Sequence, residues 1–452
     1  MKVTVKVLGI FVALLVIIAA LPAFIPDEEY STGAEQWLND ANNPEVIPDE
    51  VNRFNALVGF NVEAEQDMVA EGAKLIAEVN AQLSGSGDKS NSGQRLNDYW
   101  IRPPVDVSKN LSMDTSAAFA ADPARWLLDN HDSYSTSLNS SQVLLARFKR
   151  LMTMPQYSYT MKLHVNAPSV SYGSVLAIKR LNNLSIIDDF INDNKQNAIY
   201  RLQHNINFAK LMMEQSSLLL DKMIAAAFLK IDLLTYSSLL DQSPDDDSLK
   251  IVITNLQADE IDMLKAFKGE FAFLSTSLDI GNQFNMGDSS TEPGMLEMFM
   301  MKSYLKPKRM ENYAYKNLWL PFLELKNQSL ASRKIIVKDL GEKELTWWQI
   351  YQDPIGYVLL AIATPSYFEY IDSIDHADAT ITLLNLKASI YANKISSGSV
   401  ANYISSKDAG MNSGYAGAKF SWHKDKRILS FDIPGYRGEG VPRIKLYTNR
   451  KT

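Results

Sequence analysis

Residues able to do chemistry are few and scattered in this chain. Its five histidines, His131, His164, His204, His376 and His423, form no H-E-x-x-H and no close pair, so the ligand spacing of common zinc hydrolases is missing. Cysteine is absent altogether, which removes disulfides, thiolate metal sites, thiol nucleophiles and a lipidated N-terminal Cys. Neither a G-x-S-x-G elbow nor a G-x-x-x-x-G-K-[ST] phosphate loop occurs.

What remains are four constellations, each with a functional and a structural reading. Glu369, Asp372 and His376 fall at i, i+3 and i+7, so one helical face could present them as metal ligands or as an acid/base set. That face lies opposite Ile371, Ile374 and Ile381, where solvent is expected, and a hydrated polar face is the favoured reading. Asp245, Asp246 and Asp247 invite a calcium reading, but no central Gly or twelfth-position Glu follows, and a charged helix N-terminus accounts for them better.

Met295, Met298, Met300 and Met301 form a thioether cluster that could hold Cu(I), although methionine more often fills irregular cores. Lys302, Lys306, Lys308 and Arg309 follow it, and a basic patch beside an apolar strip could meet lipid headgroups. Trp347, Trp348, Tyr351 and Tyr357 gather around Asp353-Pro354; their rings could stack on sugars if exposed, or pack a turn if buried.

The elements that position these residues begin with an apolar run of 19 residues, Val7 to Ile25, and about 20 helical residues cross a hydrocarbon core. Lys2 and Lys6 precede it and Asp27, Glu28 and Glu29 follow, so the basic-flank rule puts the N-terminus in the cytoplasm and the body outside. A cleaved signal peptide is the competing reading, with Pro22 ending the apolar stretch and Ala20 and Ala23 near a cut; Leu21 fits that cleavage pattern poorly. Both readings export the body.

Beyond the run, Tyr30 to Pro48 has the polarity and prolines of a tether. Asp49 to Leu83 is helix-prone, with interruptions expected near Gly59 and Gly72. Ser84 to Gly93 has linker composition and is expected to be a flexible loop. A helix is expected after Asn139 and should stop before Pro155. From Lys195 to Leu240 neither Gly nor Pro occurs, which predicts one very long helix or two with a tight break, the spine of the body. Another helix is predicted over Asp246 to Lys268. A further one is expected to start at the Ser366/Glu369 capping box behind Pro365 and reach about Asn393. Near the end the period changes to two: Phe420 to Phe431 reads as a β-hairpin, and Ile444 to Tyr447 as a possible added strand.

Several of these stretches resemble a group of proteobacterial envelope proteins with no known activity. The likeness rests on the short anchor, Asn52 to Gly59 (NRFNALVG), the central LLLDKMIAAAFLKIDLL, and the tail segments DPIGYVLLAIATPSYFEYIDSID and KFSWHKDKRILSF. It implies an anchored, helical, exported body and carries over no catalytic residue.

Charge limits the partners. With Lys2 and Lys6 set aside, 43 basic residues stand against 52 acidic ones, and a body of net −9 repels phosphate backbones, so no nucleic acid is expected.

The expectation is a mainly α protein: an N-terminal single transmembrane helix, then a helical-bundle body with a small C-terminal β-hairpin. Its order is an anchor with a short cytoplasmic N-terminus (1–26), a tether (27–48), a helical segment (49–83), a flexible loop (84–93), a main helical domain (94–395) and a β-containing segment (396–452). Location follows as inner membrane, single-pass, with the body in the periplasm. The expected function is non-enzymatic binding or scaffolding of another envelope protein, without cofactor or metal. The candidate interaction surface carries Trp347, Trp348, Tyr351, Tyr357, Met298, Met301, Lys302 and Lys306. The alternatives are an envelope hydrolase using paired carboxylates on glycan or peptide, and a methionine-rich copper binder.

Overall fold

The structure is a computed structural model that describes residues 21–84, 114–120, 122–164, 167–278, 305–324, 346–411, 419–432 and 443–446. The predicted anchor therefore lies outside the described residues except for 21–25, and the linker-like loop lies outside them from residue 85 onward.

The body is mainly helical with a three-stranded antiparallel sheet at its C-terminal end. The helices that matter here are α1 (Thr32–Asn42), α2 (Arg53–Val58), α3 (Met68–Leu83), α4 (Gln142–Thr153), α5 (Tyr172–Ile191), α6 (Lys195–Gln215), α7 (Leu219–Gln242), α8 (Leu264–Leu278), α9 (Pro307–Ala314), α10 (Pro354–Ala392) and α11 (Val400–Met411). In the sheet β2 (Ile428–Asp432) pairs with both β1 (Lys419–His423) and β3 (Arg443–Lys445), so the expected hairpin gains its third strand.

Most apolar side chains join one large core built on α5, α6, α7 and α10. A smaller core gathers Trp37, Leu219, Phe267, Phe271, Met310 and Trp319 from α1, α7, α8, α9 and the π-helical turn Tyr315–Trp319. Among the described residues α7 is the one helix long and apolar enough to cross a membrane, but two-thirds of its apolar window is buried in the body, as a central core helix requires.

Three polar networks pin the large core. Lys179 on α5 meets Asp232 on α7 at 2.5 Å, both fully buried, and Asn183, Asn205 and Thr235 complete the set. Burial pushes the Lys179 ammonium down and the Asp232 carboxyl up, each partly restored by the other. Lys387 on α10 reaches Asp241 at 2.8 Å, and the Tyr391 hydroxyl donates to the same carboxylate. The Arg147 guanidinium donates to the carbonyls of Phe60, Val62, Glu63 and Gln66, closing the loop between α2 and α3. Such pairs contribute little net stability against an apolar substitute but are costly to break singly, so their main effect is to fix helix register.

The long central stretch is two helices with a tight break, the second of the two expected forms, with the break at Ser216 to Leu218. Several other expectations need correction. The segment read as a tether instead contains α1, with Trp37 packed edge-to-face on Phe271 and Tyr315. The chain breaks at Gly59 as expected, but α3 runs straight through Gly72. Each glycine sits where a Cβ would fall within 2 Å of the other helix's carbonyl oxygen, Met68 for Gly59 and Asn55 for Gly72, so the pair lets α2 and α3 touch backbone to backbone.

Asp246 to Lys268 is not one helix: a 3-10 turn (Asp247–Leu249) leads into extended chain, the short helix Ala258–Ile261, and then α8. Finally, α10 starts at Pro354 and passes through Pro365, so the Ser366/Glu369 box does not begin it. An interior proline costs about 3 kcal/mol. Burial of Ile374, Ile381, Leu384 and Ile390 farther along offsets that cost.

Candidate binding cleft

The acidic residues after the apolar run do structural work. Both carboxylate oxygens of Asp27 accept main-chain N–H bonds at 3.0 Å from Lys308 and Arg309, the first turn of α9, where a helix lacks internal acceptors. Glu29 pairs with Lys308 at 2.9 Å and Glu28 with Arg309 at 2.8 Å, while Asn312 grips the main chain of Glu29 and Ser31. The chain leaving residue 25 is thus clasped to the body, and α1 follows directly.

At the described members of the basic patch, Lys308 and Arg309 are matched by three carboxylates, and Lys306 is buried, its main-chain N–H donating to Asp353. Met298, Met301 and Lys302, with Met295 and Met300, lie outside the described residues. In the aromatic cluster Trp347 is 75% exposed and Tyr351 half-buried, so burial does not dispose of the stacking idea at Trp347. Trp348 and Tyr357 lie on the helices Trp347–Gln352 and Pro354–Ala392, their side chains outside the described set.

The aspartate run is engaged by lysines: Lys394 on Asp245, Lys195 on Asp246 and Lys250 on Asp247, with Asp246 also capping Ser248. His376 is half-buried, and burial first, then Lys230, lowers its basicity. Among the described residues no group of three or more His, Asp or Glu could hold a metal ion.

One concavity among the described residues was not foreseen. It comprises two adjoining hollows, about 160 and 420 Å3, between the C-terminal end of α1 with the following Asn43 to Glu45, the segment 157–164, and α8. Ala41, Pro44, Tyr159 and Leu163 border both hollows. Lys268 on α8 pairs with Asp40 on α1 at 2.5 Å and fixes the spacing of two walls.

No family model, curated protein sequence or solved structure matches this chain.

Behind the Tyr157 wall lies Asp221, buried, with the hydroxyls of Tyr157 and Tyr172 donating to its two oxygens. Burial pushes its carboxyl up to about 6, against the lowering effect of the two tyrosines. Glu270 on α8 accepts the main-chain N–H of Leu219, the first residue of α7; burial raises it to about 7, held back by that bond and reinforced by Asp221. Tyr159 is pushed upward by burial, then by Asp221 and Glu270. These carboxyls are proton holders near neutrality, yet neither lines either hollow, and each already has a structural partner. The cleft wall mixes the segment 157–164 with charged side chains, Asp40, Glu45, Lys162, Lys265 and Lys268, and can offer hydrogen bonds from both. The Y-S-Y-T-M-K-L stretch after Pro155, whose apolar and polar residues alternate over seven positions, is the sequence signal that could have found this wall.

Proposed function

We propose that the chain is a membrane-anchored, non-enzymatic binding protein of the cell envelope whose exported, periplasmic body recognises another envelope protein. The observation that carries this reading is the clasp: the acidic residues that flank the apolar run are hydrogen-bonded into the body, and the helix they lead into, α1, forms a wall of the cleft described above. Membrane attachment and recognition are then two ends of one short segment. An extended tether would have separated them.

The absence of cysteine makes the test clean. A single cysteine at the exposed hairpin turn, Lys424→Cys, should react with a membrane-impermeant maleimide in intact spheroplasts, and the protein should remain in the membrane fraction after a high-salt wash. Labelling only after lysis would sink the export reading, and release by salt would sink the anchor. The carboxylate hydrolase and the copper binder gain no specific observation from the described residues.

A further inference from the structure

We infer that the cleft beside residues 157–163 is a strand-addition site, which takes an extended segment of a partner polypeptide by pairing with the free main-chain edge of that stretch. This deepens the binding reading above by naming the surface and the chemistry of its partner. It does not depend on where the membrane lies.

The segment runs in non-helical chain from Pro155 to His164, with a bend at Met161. One of its edges is engaged, at Gln156, Ser158, Thr160 and Lys162, largely by side chains that imitate a neighbouring strand. The Asn52 amide donates to the Ser158 carbonyl at 3.0 Å and accepts the Ser158 N–H at 3.0 Å. The Asn80 amide donates to the Thr160 carbonyl at 2.9 Å and accepts the Lys162 N–H at 2.7 Å. Just before them, the Arg53 N–H donates to the Gln156 carbonyl, part of an isolated parallel bridge. Every one of these contacts uses an even-numbered residue, as an extended chain demands, because N–H and C=O groups of successive residues point to opposite edges.

The odd-numbered residues therefore present their N–H and C=O groups to the other edge, where the Pro155 carbonyl accepts from the Gln215 amide at 3.0 Å and the residues after it are open. Tyr157, Tyr159, Met161 and Leu163 have no main-chain hydrogen bond among the described residues. The side chains of three of these four are packed into the body, which holds the stretch in place while its main chain borders the cleft. These four residues border the two hollows, together with Ser158, Thr160, Lys162 and His164 of the same segment. A row of unpaired donors and acceptors at strand spacing, opening on a cleft, is complemented by another main chain with the same repeat. Leu83 of α3, Ala41 and Asn42 of α1 and Thr276 of α8 border the hollows opposite this edge.

The test uses the purified full chain in lipid nanodiscs and a phage-displayed library of random peptides. Selected peptides are remade with N-methyl groups at successive positions. Methylation at one parity should weaken binding about tenfold, since it removes a main-chain bond and leaves an acceptor stranded, and methylation at the other parity should leave it unchanged. Two variants that fill the hollows, Ala41→Trp and Thr276→Trp, should each weaken binding about tenfold while retaining the wild-type melting temperature; two are used so that misfolding of one leaves the other decisive. Hydrogen exchange at the Tyr159 amide should slow on binding. The proposal is overturned if no selected peptide prefers the wild type to both filled variants, or if the two methylation parities behave alike. It is also overturned if the edge pairs with a second copy of this chain, seen as self-association that the filled variants abolish. A failure of maleimide labelling at Lys424→Cys would leave all of these outcomes untouched, so the two readings fail separately.

Discussion

Glu311→Gln is expected to stabilise the protein at alkaline pH and to have no effect in acid. Glu311 sits on α9 with 1% of its surface exposed, at the joint between α9, the clasped segment and α8. Neither carboxyl oxygen meets a donor in good geometry, though the hydroxyls of Tyr30 and Ser275 stand close by. Burial raises its pKa from 4.5 to about 7; Tyr30, Ser275 and Lys308 hold it back and Asp27 adds to it. An acid with a raised folded-state pKa binds its proton more tightly in the folded state, so stability falls as pH rises from about 4.5 to about 7 and stays low above that. At about 1.4 kcal/mol per pH unit, the full penalty is about 3 kcal/mol at pH 8 and nil at pH 4. The amide keeps the shape without the charge. Urea unfolding of wild type and variant, followed by circular dichroism at pH 4, 6 and 8, should show the difference in midpoint growing from zero with pH. Glu270 and Asp221 titrate in the same window, which is why the difference between the two proteins is the quantity to read. If that difference is the same at pH 4 and pH 8, the burial argument is wrong.

Two other perturbations test the packing logic. Lys179→Met should destabilise by about 3–5 kcal/mol because it strands Asp232 in the core, and adding Asp232→Leu should recover most of the loss; chemical denaturation of the single and double variants checks the sign of the coupling. Gly72→Ala should cost more than 3 kcal/mol, or abolish folding, by driving a methyl into the Asn55 carbonyl, whereas Gly173→Ala, with open space around its Cβ position, should change the melting temperature little.

Sequence reading captured what local period and strong punctuation encode. The Gly- and Pro-free stretch after Lys195 announced the spine, and the switch to alternation around Trp422 announced the sheet. It failed where tertiary contact overrode local rules. Pro365 reads as a stop, yet α10 continues through it to bury Ile374 and Ile381. Gly72 reads as a break, yet it is a contact point between helices. Asp27 to Glu29 read only as membrane-flanking charge, because their partners Lys308 and Arg309 lie some 280 residues away, beyond any window of periodicity. The cleft was hidden for the same reason: Asn52 and Asn80 are unremarkable in the sequence until the fold lays Ser158 and Thr160 against them.

Helix α7 has one more implication. Its first residue, Leu219, is fully enclosed by the smaller cluster of side chains, while Phe228, Leu233 and Tyr236 farther along belong to the larger one. A single rod seated in both cannot let go of one without losing purchase in the other. Heat should therefore take the described body apart in one step, and a nick near Ser216 should be more damaging than its position at a chain break suggests.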